Sequence, residues 1–92
     1  MITAGQSAGR RPRVRVSGPV RRLRAGGPAG LPMLRADLGG GPDRITVIWL
    51  GRTHIAGIEP GRVLAVEGRL SQQGGRTVIY NPRYDLGTDP QR

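Results

Sequence analysis

The chain contains no cysteine, no lysine and no phenylalanine, and its only aromatic residues are Trp49, Tyr80 and Tyr84. Without cysteine there can be no disulfide and no thiolate metal site, and the redox compartment is left open. Histidine occurs once, at His54, and the acids Asp37, Asp43, Glu59, Glu67, Asp85 and Asp89 stand apart with no paired spacing. A metal site would need partners that His54 lacks. No serine has a visible base partner either, so the expectation is a non-enzyme with no cofactor and no metal. Gly39-Gly40-Gly41 is rich in glycine, but no Lys-Ser/Thr follows it, which makes it a hairpin turn and not a phosphate-cradling loop. No apolar run approaches the roughly 18–20 residues of a membrane span. The opening residues lack the apolar stretch of a secretory signal, so the expected location is cytoplasmic, with no membrane partner.

What the chain has is arginine. Its 92 residues carry 15 arginines against six acids, a formal charge of +9. The length suits one domain with a modest core. Seven of the arginines (Arg10, Arg11, Arg13, Arg15, Arg21, Arg22 and Arg24) fall in the first 24 residues, where there is no acid. Such asymmetry points to a polyanionic partner. Guanidinium forks match phosphate geometry and stack on bases better than ammonium groups do. The competing reading is a solvated basic surface that keeps a small protein soluble. Arginine in place of lysine, beside 16 glycines and eight prolines, is also a mark of GC-rich coding.

Hydropathy alternates with period two over most of the chain. Residues 1–12 are small, polar and basic, and are expected to form a disordered arm. From Arg13 to Val20 the valines Val14, Val16 and Val20 share one face, with Gly18 at the point where a long strand would have to bend. The run Arg21-Arg22-Leu23-Arg24 breaks this parity and calls for a second irregularity. A glycine-rich connection, Ala25–Gly30, leads to a second strand, Leu31–Leu38, with Leu34, Ala36 and Leu38 on one face. Gly39–Asp43 is a turn. Arg44–Leu50 is the most β-prone stretch and reads as a strand buried on both sides. Residues 51–57 offer the one slot for a short helix or turn, and Ile58-Glu59-Pro60-Gly61 is a tight turn. A fourth strand covers Arg62–Leu70, with Leu64, Val66 and Leu70 on one face. Ser71–Gly75 forms a hairpin loop, and a fifth strand, Arg76–Tyr80, stops at Asn81-Pro82. The remaining residues carry no pattern, and 87–92 are expected to be a flexible tail.

Five short strands with a single helical slot between the third and fourth predict an all-β, five-stranded Greek-key OB-fold barrel over residues 13–86. An SH3-like barrel is the structural competitor. A family resemblance rests on the pieces Val16-Ser17-Gly18-Pro19-Val20, Val47-Ile48-Trp49-Leu50-Gly51-Arg52, Ile55 with Ile58 before Pro60-Gly61, Val66-Glu67-Gly68-Arg69 and Tyr80-Asn81-Pro82-Arg83-Tyr84. In order and spacing they resemble the OB-fold nucleic-acid-binding family of the tRNA/helicase type. They are similar to the wedge domain of RecG-type branch-migration helicases, and more so to short stand-alone OB-fold proteins of GC-rich bacteria such as actinobacteria. The resemblance spans Val14 to Leu86 and implies binding of single-stranded or branched DNA. It leaves RNA open and carries no helicase activity, because the chain has no motor domain.

OB-folds bind on the face of their second and third strands and the loops beside it. That surface would include Arg35, Arg44 and Thr46, unless Arg35 and Arg44 are spent on ion pairs with Asp37 and Asp43. The full candidate nucleic-acid-binding set is Arg13, Arg15, Arg21, Arg22, Arg24, Arg35, Arg44, Thr46, Trp49, Arg52, Tyr80 and Arg83. Trp49 shares parity with Ile45 and Val47, so a core indole competes with a base-stacking platform. Of Tyr80 and Tyr84, one is expected to close the bottom of the barrel and the other to be exposed. With so few aromatics, binding should rest on charge and show little sequence specificity. Two other functions stay open: a protein-interaction module, including a partner in DNA repair or recombination, and an RNA- or tRNA-binding accessory factor.

Overall fold

The computed structural model describes residues 12–39 and 44–87. Residues 1–11 of the expected arm, the tail beyond Gly87 and most of the Gly39–Asp43 turn lie outside these residues. The described chain is all-β. Its strands are β1 (Arg13–Ala25), β2 (Met33–Leu38), β3 (Ile45–Leu50), β4 (Val63–Gln73), β5 (Arg76–Tyr80) and β6 (Arg83–Leu86), with one 3-10 turn at Pro28–Gly30. No helix among the described residues is long and apolar enough to cross a membrane.

The strands hydrogen-bond in the order β1-β2-β3-β5-β4-β6, and β1 also pairs with β4, which closes the first five into a ring. All pairings are antiparallel except β3–β5. Closure depends on two long strands that change partner midway. The first half of β1, Arg13–Pro19, pairs with β4, and its second half, Val20–Ala25, pairs with β2. The change falls at Gly18-Pro19, where the sequence predicts a bend. A register shift between Val20 and Arg22 is the second irregularity that the broken parity demanded. It returns Leu23 to the inner face and turns Arg22 and Arg24 outward. Arg21, the extra residue, donates from Nε to the Gly39 carbonyl at 3.2 Å.

β4 changes partner in the same way: Val63–Arg69 lies against β1, with Leu64–Glu67 against β6 on the other edge, and Leu70–Gln73 lies against β5. Gly68 is needed there for space. A Cβ at this position would sit 2.8 Å from Ile79 Cγ2 and 3.5 Å from the Pro82 backbone. Gly74 and Gly75, both at positive φ (57° and 80°), make the two-residue turn between β4 and β5. β4 therefore runs three residues further than expected, and the loop shrinks to this glycine pair.

The interior is filled by Val20, Leu34, Ala36, Leu38, Ile45, Val47, Trp49, Ile55, Ile58, Leu64, Val66, Leu70 and Ile79. Val14 and Val16, expected as core, are only partly buried and pack against its margin. They lie near the open start of β1, where fewer strands cover them. β3 is buried from Ile45 through Trp49, on both faces as its composition predicts. The slot after β3 holds turns and no helix, and contributes Ile55 and Ile58 to the core.

The described chain has six strands where five are expected. Arg83–Leu86 carries no pattern in the sequence, yet it runs antiparallel to β4, with Tyr84 opposite Val66 and Leu86 opposite Leu64. Four residues are too few for an alternation to be read. This strand exists because β5 leaves the edge of β4 at Asn81-Pro82 and frees the first half of β4 for pairing. Asn81 anchors the crossing. At φ 48° it donates its N–H to the Ile48 carbonyl at 2.7 Å, and its Oδ1 accepts from Leu50 N–H at 2.9 Å.

Two substitutions test this frame. Gly68→Ala should destabilise by about 1–3 kcal/mol, because Ile79 is fully buried and cannot yield. Asn81→Ala loses a hydrogen bond and puts a Cβ residue without local compensation at positive φ, a cost of about 2 kcal/mol. Asn81→Gly keeps the conformation and should cost about 1 kcal/mol. Urea unfolding midpoints at unchanged slope give all three values.

Candidate nucleic-acid interface

Alternation that fills the interior sends the intervening residues outward, and the pairing register sets them in rows. One row crosses the outer surface as Arg22 (β1), Asp37 (β2), Thr46 (β3), Val78 (β5) and Ser71 (β4). The next runs Arg24, Arg35, Ile48 and Tyr80. Beyond it Met33 faces Leu50. This surface therefore gathers Arg22, Arg24 and Arg35, which lie up to 13 residues apart in sequence, beside Thr46 and Tyr80. It also brings in Arg76, which is not among the candidates the sequence offers. The alternation of β5 alone could have placed Arg76 outward, but only its register against β3 puts it next to Thr46.

The face has an internal structure. Thr46 is 8% exposed, and its hydroxyl donates to Asp37 Oδ1 at 2.9 Å and accepts from Arg76 Nη1 at 3.3 Å. Asp37, the single acid on this face among the described residues, is thus engaged by Thr46, not by Arg35. Arg35 reaches the Gly26 carbonyl through Nη2 at 3.4 Å, while its Nε is buried without a partner among the described residues. Arg24 stands directly opposite Arg35, a like-charge cross-strand pair that costs stability. The side chains of Arg22 and Arg24 form no ion pair or hydrogen bond among the described residues. Ile48 and Val78 are buried on this outer surface, apart from the interior core. Leu50 and Tyr80 at its border are exposed, and the Tyr80 hydroxyl donates to Gln73 Oε1 at 2.9 Å.

The remaining predicted residues lie elsewhere. Trp49 is 4% exposed in the interior, and its Nε1 has no hydrogen-bond partner among the described residues. Its ring meets that of Tyr84 edge to face at 5.8 Å, but Tyr84 is exposed like Tyr80, so the expected division into one closing and one exposed tyrosine is not seen. Arg44 is exposed just before β3, and Arg52 is exposed in the turn after it. Arg13 and Arg15 lie on the outer surface where β1 meets β4, paired with Glu67 at 3.7 Å and Asp85 at 3.6 Å. Arg83 stands opposite Glu67 on β6. Among the described residues no group of histidine and acids could hold a metal ion. Family models and curated proteins searched with this chain yield no match.

The Thr46 hydroxyl joins an arginine and a carboxylate that the fold alone brings together. Thr46→Val keeps the shape and removes both bonds, leaving Asp37 partly buried without its donor. We expect a loss of about 1–2 kcal/mol in chemical denaturation. Asp37→Asn keeps an acceptor at the same place and should lose less.

Proposed function

We propose that the protein is a non-catalytic nucleic-acid-binding module of the OB-fold type, binding single-stranded or branched DNA with low sequence specificity. The observation that carries this reading is the outer face of β1, β2, β3 and β5, where Arg22, Arg24, Arg35 and Arg76 surround one acid, Asp37, that Thr46 already engages. Arginines on a continuous sheet surface neutralise successive phosphates and release counterions. The strand order of the closed ring, with its single parallel contact between β3 and β5, is compatible with a five-stranded Greek-key barrel and supports the OB-fold assignment. In that fold this face is the binding face.

Low specificity follows from which side chains are on offer. Trp49 is buried and cannot stack on a base. Tyr80 is the aromatic residue at the border of the face, and arginine planes supply the other stacking surfaces. Phosphate contacts position a strand without reading its sequence.

Fluorescence anisotropy with matched single-stranded, duplex and forked DNA, and with single-stranded RNA, tests the proposal. Each neutralised phosphate of a single strand contributes a slope of about −0.7 in log K against log salt, so four arginines should give about −2 to −3. The double variant Arg24→Ala/Arg35→Ala should weaken binding equally for all sequences and flatten the slope by about 1.4. Absence of binding to any oligonucleotide at low salt and micromolar protein would refute the proposal and favour a protein-interaction module. Stronger binding to RNA than to DNA of the same sequence would shift the reading to an RNA- or tRNA-binding factor.

A further inference from the structure

The outward row that runs Arg24, Arg35, Ile48 and Tyr80 does not stop at β5. β5 pairs with the second half of β4, with Ser71 opposite Val78 and Leu70 opposite Ile79. One residue further along, Arg69 joins Tyr80 in lining a groove of about 330 Å³. Arg69 in turn stands opposite Arg13 on the first half of β1, and Arg13 lines the same groove. The row therefore crosses all five strands of the ring and returns to the strand on which it began. Tyr80 and Ser71 belong both to the outer rows of the first face and to the wall of the groove, so the two adjoin. Arg83, which follows the Asn81 crossing on β6, lines it as well. A neighbouring groove of about 420 Å³ shares Arg83 and Glu67 and carries the surface on to Arg15.

We infer that face and groove form one continuous track, on which a single strand leaves the β2–β3 face past Tyr80 and enters the groove between β1, β4 and β6. The inference rests on the reading of that face proposed above and adds the path of the strand beyond it. Tyr80 stands at the join. Its ring is exposed, and its hydroxyl is held by Gln73 Oε1 at 2.9 Å, so it offers a fixed plane on which a base can stack as the strand turns. Beyond it, Arg13 and Arg83 can take phosphates. The Arg83 side chain has no ion pair or hydrogen bond among the described residues. Glu67 is the one acid lining this groove among the described residues. Arg13 Nε lies 3.7 Å from it, and Arg15 and Arg83 stand opposite it in the register. The Arg13–Glu67 pair is long and its side chains are 49% and 36% exposed, so it contributes little and yields Arg13 readily to a phosphate. The path also selects its occupant. A strand that follows it must curve around a body only 39 Å in its longest extent. A flexible single strand does so at little cost, whereas duplex DNA is stiff over about 150 base pairs.

The test uses the full chain and a series of oligothymidylates of about 4 to about 16 nucleotides, the range that OB-folds cover. For the wild type, affinity should go on rising with length after the β2–β3 face is filled. Arg13→Ala/Arg83→Ala should bind the shortest oligomers as the wild type does and the longest about tenfold more weakly at low salt, with the salt slope flattened by about 1.4 for the longest alone. Glu67→Gln should tighten binding of the longest oligomers and leave the shortest unchanged. A second measurement needs no variant. In an oligomer that just fills the track, a single 5-iodouracil placed near the middle should photo-cross-link to Tyr80 more strongly than one placed at either end. Identical length dependence in the wild type and Arg13→Ala/Arg83→Ala, or equal weakening at every length, overturns the track and leaves the proposed function standing. A Tyr80 adduct formed only from an end of the oligomer does the same, because the strand then stops at the border of the face. Absence of binding at any length fails both proposals together.

Discussion

Backbone hydrogen bonds in this protein must be satisfied by a sheet with few strands, and the rest of the structure depends on how that is done. β1 bonds to β4 with its first half and to β2 with its second, and β4 bonds to β1 and β6 with its first half and to β5 with its second. A strand can do this only if it bends sharply without losing its ladder. β1 bends at Gly18-Pro19, and β4 does so at Gly68, where the absence of a side chain lets Ile79 and Pro82 approach. The exchange of partners closes the ring, and closure removes most of the exposed edge that an open sheet would present. It also gives the interior a fixed volume. Branched and aliphatic side chains from five strands fill it, with Trp49 and Tyr84 meeting at one end.

A filled interior forces the charges outward, and the register decides where they collect. Arg24 and Arg35 face each other because the extra residue between Val20 and Arg22 resets the parity of β1. Without that bulge, the strand would point Leu23 at solvent and drive its arginines into the core. The same feature thus completes the core and builds the cationic face. The cost is a repulsive pair that the described residues do not neutralise. This is the kind of local conflict that a bound anion offsets.

The arrangement also explains how a protein with few aromatics can still present a built surface. Ile48 and Val78 are buried outside the core, beneath a layer that holds the Arg76–Thr46–Asp37 chain of hydrogen bonds. The outer face is therefore ordered by its own small apolar patch and polar network. Positioned guanidinium groups lose less freedom on binding than fully solvated ones would.

Much of this was written in the amino-acid order. Period-two alternation located five strands, and nine of the eleven residues it assigned to the interior are buried: Val20, Leu34, Ala36, Leu38, Ile45, Val47, Leu64, Val66 and Leu70. The bend at Gly18, the broken parity after Val20 and the two-sided burial of β3 were legible because each is a local violation of a simple period. Arginine excess and the outward parity of Arg35 were legible for the same reason. What needed the tertiary structure was every feature set by a partner. β6 is a strand only because β4 has an edge to offer, Arg76 joins the face only through the register of β5 against β3, and Trp49 is committed to the interior by the closure around it. Alternation within one strand tells which side chains share a side. Only hydrogen-bond pairing between strands distant in sequence tells which sides meet, and here that pairing gathers Arg22, Arg24, Arg35 and Arg76 on one face.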